Sequence, residues 1–140
     1  MTTRIELLLP LPPKELNPNA RLHHFPKAKA TKQYRELVRA EAMSQTTPVQ
    51  RDDWRRWEVP YATRLRLREV YRIAGKRKRD VRNLFAAFKA GEDGLVDAGI
   101  LPGDDDSVLE HGPPKIQRVS GKKDECVVVV IEAILAGGRA

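Results

Sequence analysis

Residues 75–109 read GKRKRDVRNLFAAFKAGEDGLVDAGILPGDDDSVL, and the fold turns on how this stretch is parsed. It opens with four consecutive cations, Lys76, Arg77, Lys78 and Arg79, that run directly into Asp80. It closes on Asp104, Asp105 and Asp106, behind a Pro102-Gly103 turn. Between these ends Leu84, Phe88, Gly91, Leu95 and Ala98 recur at helical spacing. Asn83 is therefore the expected cap of a helix over 84–98 that Gly99 closes. Lys89 and Asp93 stand at i, i+4 and project from a common face. Gly91 and Gly94 each weaken a helix by roughly 1 kcal/mol relative to Ala, which implies close approach of another backbone. Charge is segregated around this helix. From Arg64 to Arg82 there are nine basic residues against two acidic ones, and from Glu92 to Glu110 there are seven acidic residues with no Lys or Arg. A basic arm joined by one helix to an acid-rich patch suits a phosphate polyanion held against a divalent cation. The alternative is a pair of solvated charge runs of opposite sign.

Immediately upstream, 61–71 (YATRLRLREVY) alternates as a strand, with Thr63, Leu65 and Leu67 facing one way and Arg64, Arg66 and Arg68 the other. One face meets the core, and the other offers guanidinium groups to solvent or phosphates. The segment IAGKRKR after it reads as a flexible cationic connection. Downstream, 116–119 and 125–135 read as strands joined through a Ser120-Gly121 turn. The run VVVVI lacks polar alternation, which predicts a central strand buried on both faces. Residues 136–140 form a loose tail.

The N-terminal third supplies the rest. Residues 4–9 (RIELLL) read as a first strand, ended by Pro10, Pro12 and Pro13. Turn chemistry then runs through 11–30, where Arg21, Lys27 and Lys29 leave two readings open, a surface loop or a strap along a phosphate backbone. His23 and His24 are adjacent and make a poor metal pair. Thr31 is the expected N-cap of a helix reaching about Met43, with Tyr34, Leu37, Val38 and Ala42 as its core stripe. Residues 44–53 read as a linker or loop. Trp54 and Trp57 share one side of a helical turn and are expected to pack on the sheet, with base stacking the alternative.

At 140 residues the expectation is one domain, 1–140, with a single core. Hydrophobic content of 41% and charged content of 32% fit a soluble globular chain. A formal charge of +7 makes nucleic acid the leading partner class. No apolar run is long enough to span a bilayer and no amphipathic helix has an aromatic face, so no membrane partner is expected. The start MTTRIELLLPLPP does not read as a signal peptide. Cys126 stands alone, which excludes an internal disulfide or a zinc–thiolate cluster and fits a reducing cytoplasm.

The pattern RDVRNL…K…DGLVDAG…DD resembles the RusA family of Holliday junction resolvases. In that family a basic strand end leads to D-x-D-N-L, then a helix carrying a Lys, then a loop with Asp-Asp. The N-terminal LPLPPKELNPNAR and the closing ECVVVVIEA are also similar to its segments, so the resemblance covers most of the chain. It implies an α+β fold, a small mixed sheet packed by two main helices, assembled as a homodimer. It also implies magnesium-dependent nicking of four-way DNA junctions in recombination and repair. By this likeness Asp80, Asp104 and Asp105 hold Mg²⁺, with Asp106 one register away. Asp80, Asp105 and Lys89 are catalytic, although in some members the lysine falls one turn earlier, at Ala86. Lys76, Arg77, Lys78, Arg79, Arg82, Arg64 and Arg66 bind DNA. Phosphodiester hydrolysis needs charge neutralisation and an activated water, which carboxylate-held Mg²⁺ supplies.

One departure stands out. Arg82 occupies the place of the family's second aspartate. In an extended segment Asp80 and Arg82 share a face, so the guanidinium is expected to repel Mg²⁺ or pair with Asp80. The chain then cuts with Asp93 or a third aspartate supplying the charge, or it binds junctions without efficient cleavage, or Arg82 is a lineage change of little consequence. Two further readings are a non-enzymatic DNA-binding protein and a structural protein that its charges merely solubilise.

Overall fold

The alternating and apolar strands of the sequence assemble into one mixed sheet in the computed structural model, which describes residues 4–18, 24–56, 62–76, 78–101 and 109–135. In chain order the elements are β1 (Arg4–Leu9), α1 (His24–Ser44), α2 (Pro48–Arg56), β2 (Ala62–Ala74), α3 (Val81–Ala87), α4 (Lys89–Asp97), β3 (Leu109–His111), β4 (Lys115–Val119) and β5 (Cys126–Leu135). Single 3₁₀ turns fall at Lys14–Leu16 and Lys122–Asp124. The α+β class and the small mixed sheet match the expectation.

β5 lies between β1 and β2 and pairs antiparallel with both, Leu7 opposite Val129 and Leu67 opposite Ile131. Val127, Val128, Val129, Val130 and Ile131 are all buried, as a central strand without polar alternation requires. Both β3 and β4 run parallel along the far edge of β2, with His111 opposite Leu67 and Lys115 opposite Val70. The break between them falls at residues 112–114. Gly112 still donates its N–H to the Leu67 carbonyl at 2.9 Å, but Pro113 and Pro114 have none to give.

β1 is an edge strand with a built-in stop. Gln45, just beyond α1, accepts from the Leu8 N–H at 2.9 Å and donates to the Leu8 carbonyl at 2.7 Å. Both outward backbone groups of Leu8 are thereby paired with a side chain.

Four corrections concern the helices. α1 starts at His24, before Thr31, whose hydroxyl donates back to the Lys27 carbonyl at 2.8 Å inside the helix. Its buried stripe is Ala30, Tyr34, Val38 and Ala42, a strict i, i+4 row, while Leu37 is 44% exposed. The expected linker over 44–53 contains the start of α2, whose first turn is closed by Thr47 accepting from the Gln50 N–H at 3.1 Å. The expected helix over 84–98 begins earlier, at Val81, and is divided at Phe88 into α3 and α4.

The C-terminal end of that unit agrees with the expectation. Gly99 has φ +78°, its N–H meets the Val96 carbonyl at 3.0 Å, and the Ile100 N–H reaches the Leu95 carbonyl at 3.0 Å, which is the Schellman pattern. The predicted close approach also occurs at Gly94, where an added Cβ would stand 2.5 Å from the Arg35 carbonyl oxygen of α1. At Gly91 the neighbour is instead the Phe88 ring, 2.6 Å from such a Cβ. α1 and α4 are clamped by a two-pronged ion pair, Arg35 to Asp97 at 2.6 and 2.8 Å, which holds the Asp97 carboxyl below its usual range. Leu84, Phe88 and Leu95 join Tyr34 and Val38 over Leu65, Leu67 and Tyr71 of β2 in one buried cluster. Each such side chain contributes about 1.5–3 kcal/mol of transfer free energy.

Candidate functional site

β2 ends at Ala74, whose N–H donates to Glu125 at 2.9 Å, and Gly75 turns the chain with φ +85°. Lys76, Lys78, Arg79 and Asp80 are exposed, and Arg77 lies outside the described residues. Asp80 caps α3, its Oδ1 accepting from the Arg82 N–H at 2.8 Å. This displaces Asn83 as the cap, because a carboxylate two residues before the first free N–H satisfies it directly. It also corrects the extended geometry expected for Asp80 and Arg82. Arg82 lies in the first helical turn, exposed, and its backbone rather than its guanidinium meets Asp80. The two side chains form no ion pair among the described residues.

α3 and α4 are nearly continuous, since Phe88 donates to the Leu84 carbonyl at 3.1 Å and accepts from Glu92 at 3.1 Å. Arg82, Phe85, Ala86 and Lys89 therefore recur at i, i+3, i+4 and i+7 on one side. Phe85, Ala86 and Lys89 line a cavity of about 620 Å³ together with Glu92 and His111. Lys89 is half exposed and pairs with Asp93 at 3.5 Å, as the spacing predicted. Because Ala86 and Lys89 border the same cavity, a lysine at either position serves the same space.

Two residues of this cavity had no signal in the sequence pattern. Glu92 is 5% exposed, and its Oε1 is 3.0 Å from Nε2 of His111. The imidazole packs edge-on against Phe85, ring centroids 5.7 Å apart. Nineteen residues separate the acid from the imidazole, and only the crossover from α4 to β3 joins them.

Behind this pair, a second carboxyl is sealed in the core. Glu69 is 2% exposed on the inward face of β2, and the Tyr71 hydroxyl donates to it. Burial pushes the Glu69 carboxyl up to about 8, the Tyr71 hydrogen bond opposes that rise, and the nearby Glu92 charge adds to it. Burial, with Glu69 beside them, also raises the Tyr71 and Tyr34 hydroxyls. The alternation Leu65, Leu67, Glu69, Tyr71 already places Glu69 inward, so its position was readable from the strand pattern.

The strand arginines behave differently from the arm. Arg66 pairs with Glu110 at 3.3 Å, and Arg68 pairs with Glu132 on β5. Their guanidinium groups are thus engaged across the sheet. The Arg64 side chain, Asp104, Asp105, Asp106, His23 and Trp57, the side chains of His24 and Trp54, and the tail 136–140 lie outside the described residues. Among the described residues no three His, Cys, Asp or Glu side chains gather in a metal-holding group, and no helix is long and apolar enough to cross a membrane.

No family model matches the chain. Among curated proteins, an uncharacterized protein of Xylella fastidiosa (strain Temecula1) is 36% identical over 105 residues. That alignment takes in 75% of this chain and 63% of the relative, so the chain spans somewhat less than two thirds of that protein's length.

Proposed function

We propose that the chain is a magnesium-dependent, structure-specific endodeoxyribonuclease of RusA type that resolves four-way DNA junctions, acting as a homodimer in the cytoplasm. The observation that carries this reading is the exposed Asp80 set directly behind the exposed cations Lys76, Lys78 and Arg79. Carboxylates weaken binding to phosphates unless a cation stands between them, so an acid at the end of a basic arm favours chemistry over simple adhesion. The donors suit the metal. Asp80 offers a hard carboxylate oxygen, Oδ2, beyond the Oδ1 that caps α3, and Asp104 and Asp105 would complete an all-oxygen set. Bound there, Mg²⁺ would neutralise phosphoryl charge and favour ionisation of water. The chain's own groups do the rest: the arm draws in and orients the phosphate backbone, and Lys89 at the cavity rim stabilises charge on the phosphoryl oxygens.

A second reading, a junction-binding protein with little cleavage, is favoured by one feature. Asp80 already holds the helix cap, and Arg82 sits two residues on. A gel assay of nicking on a mobile four-way junction, with and without Mg²⁺, separates the two. Asp80→Asn is an informative variant because Asn caps helices as well as Asp does, so the fold is kept while a charge is removed. Asp80→Asn and Asp105→Asn should each abolish Mg²⁺-dependent nicking with junction binding equal or tighter. Cutting at the parent rate by both would place the metal elsewhere. Tight binding with no cutting by the parent would establish the second reading.

A further inference from the structure

Within the nuclease reading, we propose that His111, held by Glu92, is the proton-transfer residue of the cavity beside α3 and α4, where it takes the proton of the water that attacks the phosphodiester. No short sequence pattern points to this pair; the geometry does. The Glu92 side chain is 7% exposed and that of His111 is 27% exposed, so of these two groups lining the cavity the carboxylate is the deeper and the imidazole the more accessible. An ionised carboxylate only accepts hydrogen bonds. With Glu92 ionised, the 3.0 Å contact from Oε1 puts the ring proton on Nε2 and leaves the Nδ1 lone pair as the base. Phe85 packs against the ring edge-on and restricts its rotation. Lys89 borders the same cavity, where a cation favours an anionic phosphoryl group.

The surrounding charges are consistent with this role. From β2, Glu69 holds its proton at neutral pH and so does not compete for the imidazole. On β3, Glu110 is engaged with Arg66. On α4, Asp93 is engaged with Lys89. In the step itself, Nδ1 accepts a proton from water as the water oxygen forms a new bond to phosphorus. The bond from phosphorus to the departing sugar oxygen breaks, that oxygen leaves with the electron pair, and it takes a proton from solvent. Glu92, a positioning residue, stabilises the imidazolium that results.

The test uses the full chain with Mg²⁺ and two substrates, a labelled four-way junction and bis(p-nitrophenyl) phosphate, which needs no junction recognition. His111→Gln keeps an amide donor for Glu92 but has no base, and thermal unfolding checks that it folds. It should lose roughly a hundredfold or more in turnover, the range of a general base. His111→Ala opens the wall of the cavity, and added imidazole should restore part of its rate. Glu92→Gln should lower kcat with KM unchanged. If the parent nicks junctions and His111→Gln does so within about threefold of the parent rate, the inference falls and the nuclease reading stands. Loss in His111→Ala that imidazole does not restore assigns the ring a structural role and also overturns it. If the parent leaves junctions intact but hydrolyses the small diester in a His111-dependent way, the junction reading falls and the inference stands. Hydrolysis of neither substrate overturns both.

Discussion

Two basic regions stand next to each other, one within β2 and one just past its end, and they are built to opposite ends. Within the strand, Arg66 and Arg68 point outward, yet each is met by a carboxylate, Glu110 on β3 and Glu132 on β5. Beyond the strand, Lys76, Lys78 and Arg79 are exposed and make no ion pair among the described residues. Composition counts these cations alike. The sheet does not, because a strand in the middle of a sheet has neighbours at a fixed spacing on each side, and cross-strand pairs of opposite charge form there readily. A segment past the strand end has no such neighbours. Density of positive charge in a sequence therefore marks an interface only where the topology leaves the charge unanswered.

The largest expected effect breaks the comparison at its exposed end. Neutralising Lys76, Lys78 and Arg79 to Gln should reduce the slope of log affinity against log salt by about 2.7 for duplex arms, and should weaken binding on the order of a hundredfold at moderate salt. A salt titration by fluorescence anisotropy checks this, and an unchanged slope would show that the arm does not touch phosphates.

Next comes the inward charge of the same strand. Below about pH 4.5, the ordinary value, the Glu69 carboxyl is protonated whether the chain is folded or not. Between there and about 8 only the folded state keeps the proton. Over that window stability should fall as pH rises, with a slope on the order of 1.4 kcal/mol per pH unit from this group, until the folded carboxyl ionises. Glu69→Gln should remove this component. Urea denaturation at pH 5, 6.5 and 8 measures it, and a parent slope retained by the variant would mean that Glu69 is ionised in the fold.

Smaller again is the effect of the engaged arginines. Replacing Arg66 and Arg68 with Gln should leave the salt slope of DNA binding nearly unchanged and cost about 1 kcal/mol or less of stability per pair, as for partly exposed ion pairs. A drop in slope equal to that of the arm variant would erase the distinction between the two regions. The smallest effect belongs to Arg82, the last cation of the basic stretch, in the first turn of α3. Arg82→Asp puts a negative charge at a helix N-terminus and should raise stability by about 0.3–1 kcal/mol, read as a small rise in Tm. In the nuclease reading it should also lower the Mg²⁺ concentration needed for half-maximal cleavage.

Local rules described this chain well wherever the cause was itself local. Arg4–Leu9 and the apolar run of β5 declare themselves by pattern, Gly99 by its place after the last helical residue, and Lys89 with Asp93 by spacing. The misreadings have identifiable physical origins. Thr31 resembles a cap in sequence, but the helix had begun a turn and more before it, and its hydroxyl bonded backwards instead. Asn83 lost the capping role to Asp80, an equally good cap three residues nearer the strand. Leu37 belonged to the apolar stripe by periodicity, but only the narrower row of Ala30, Tyr34, Val38 and Ala42 is buried, and α4 brings its Gly94 against Arg35 and Val38. Glu92 and His111 were out of reach, because their meeting depends on how a parallel strand is laid beside β2 after a helical crossover, and no short window of sequence contains both.

The side chain of Gln45 bears on how copies of this chain can meet. An edge strand with open backbone groups invites another strand to continue the sheet. On β1 the outward N–H and C=O of Leu8 are both taken by Gln45, and the two other outward-facing residues, Arg4 and Glu6, carry charges paired at 3.2 Å. A second copy could not add itself there without first evicting an amide that mimics the missing strand. The edge that stays available to continue the sheet is the opposite one, formed by β3 and β4, and with one of its two edges stopped the sheet cannot stack without limit into fibres.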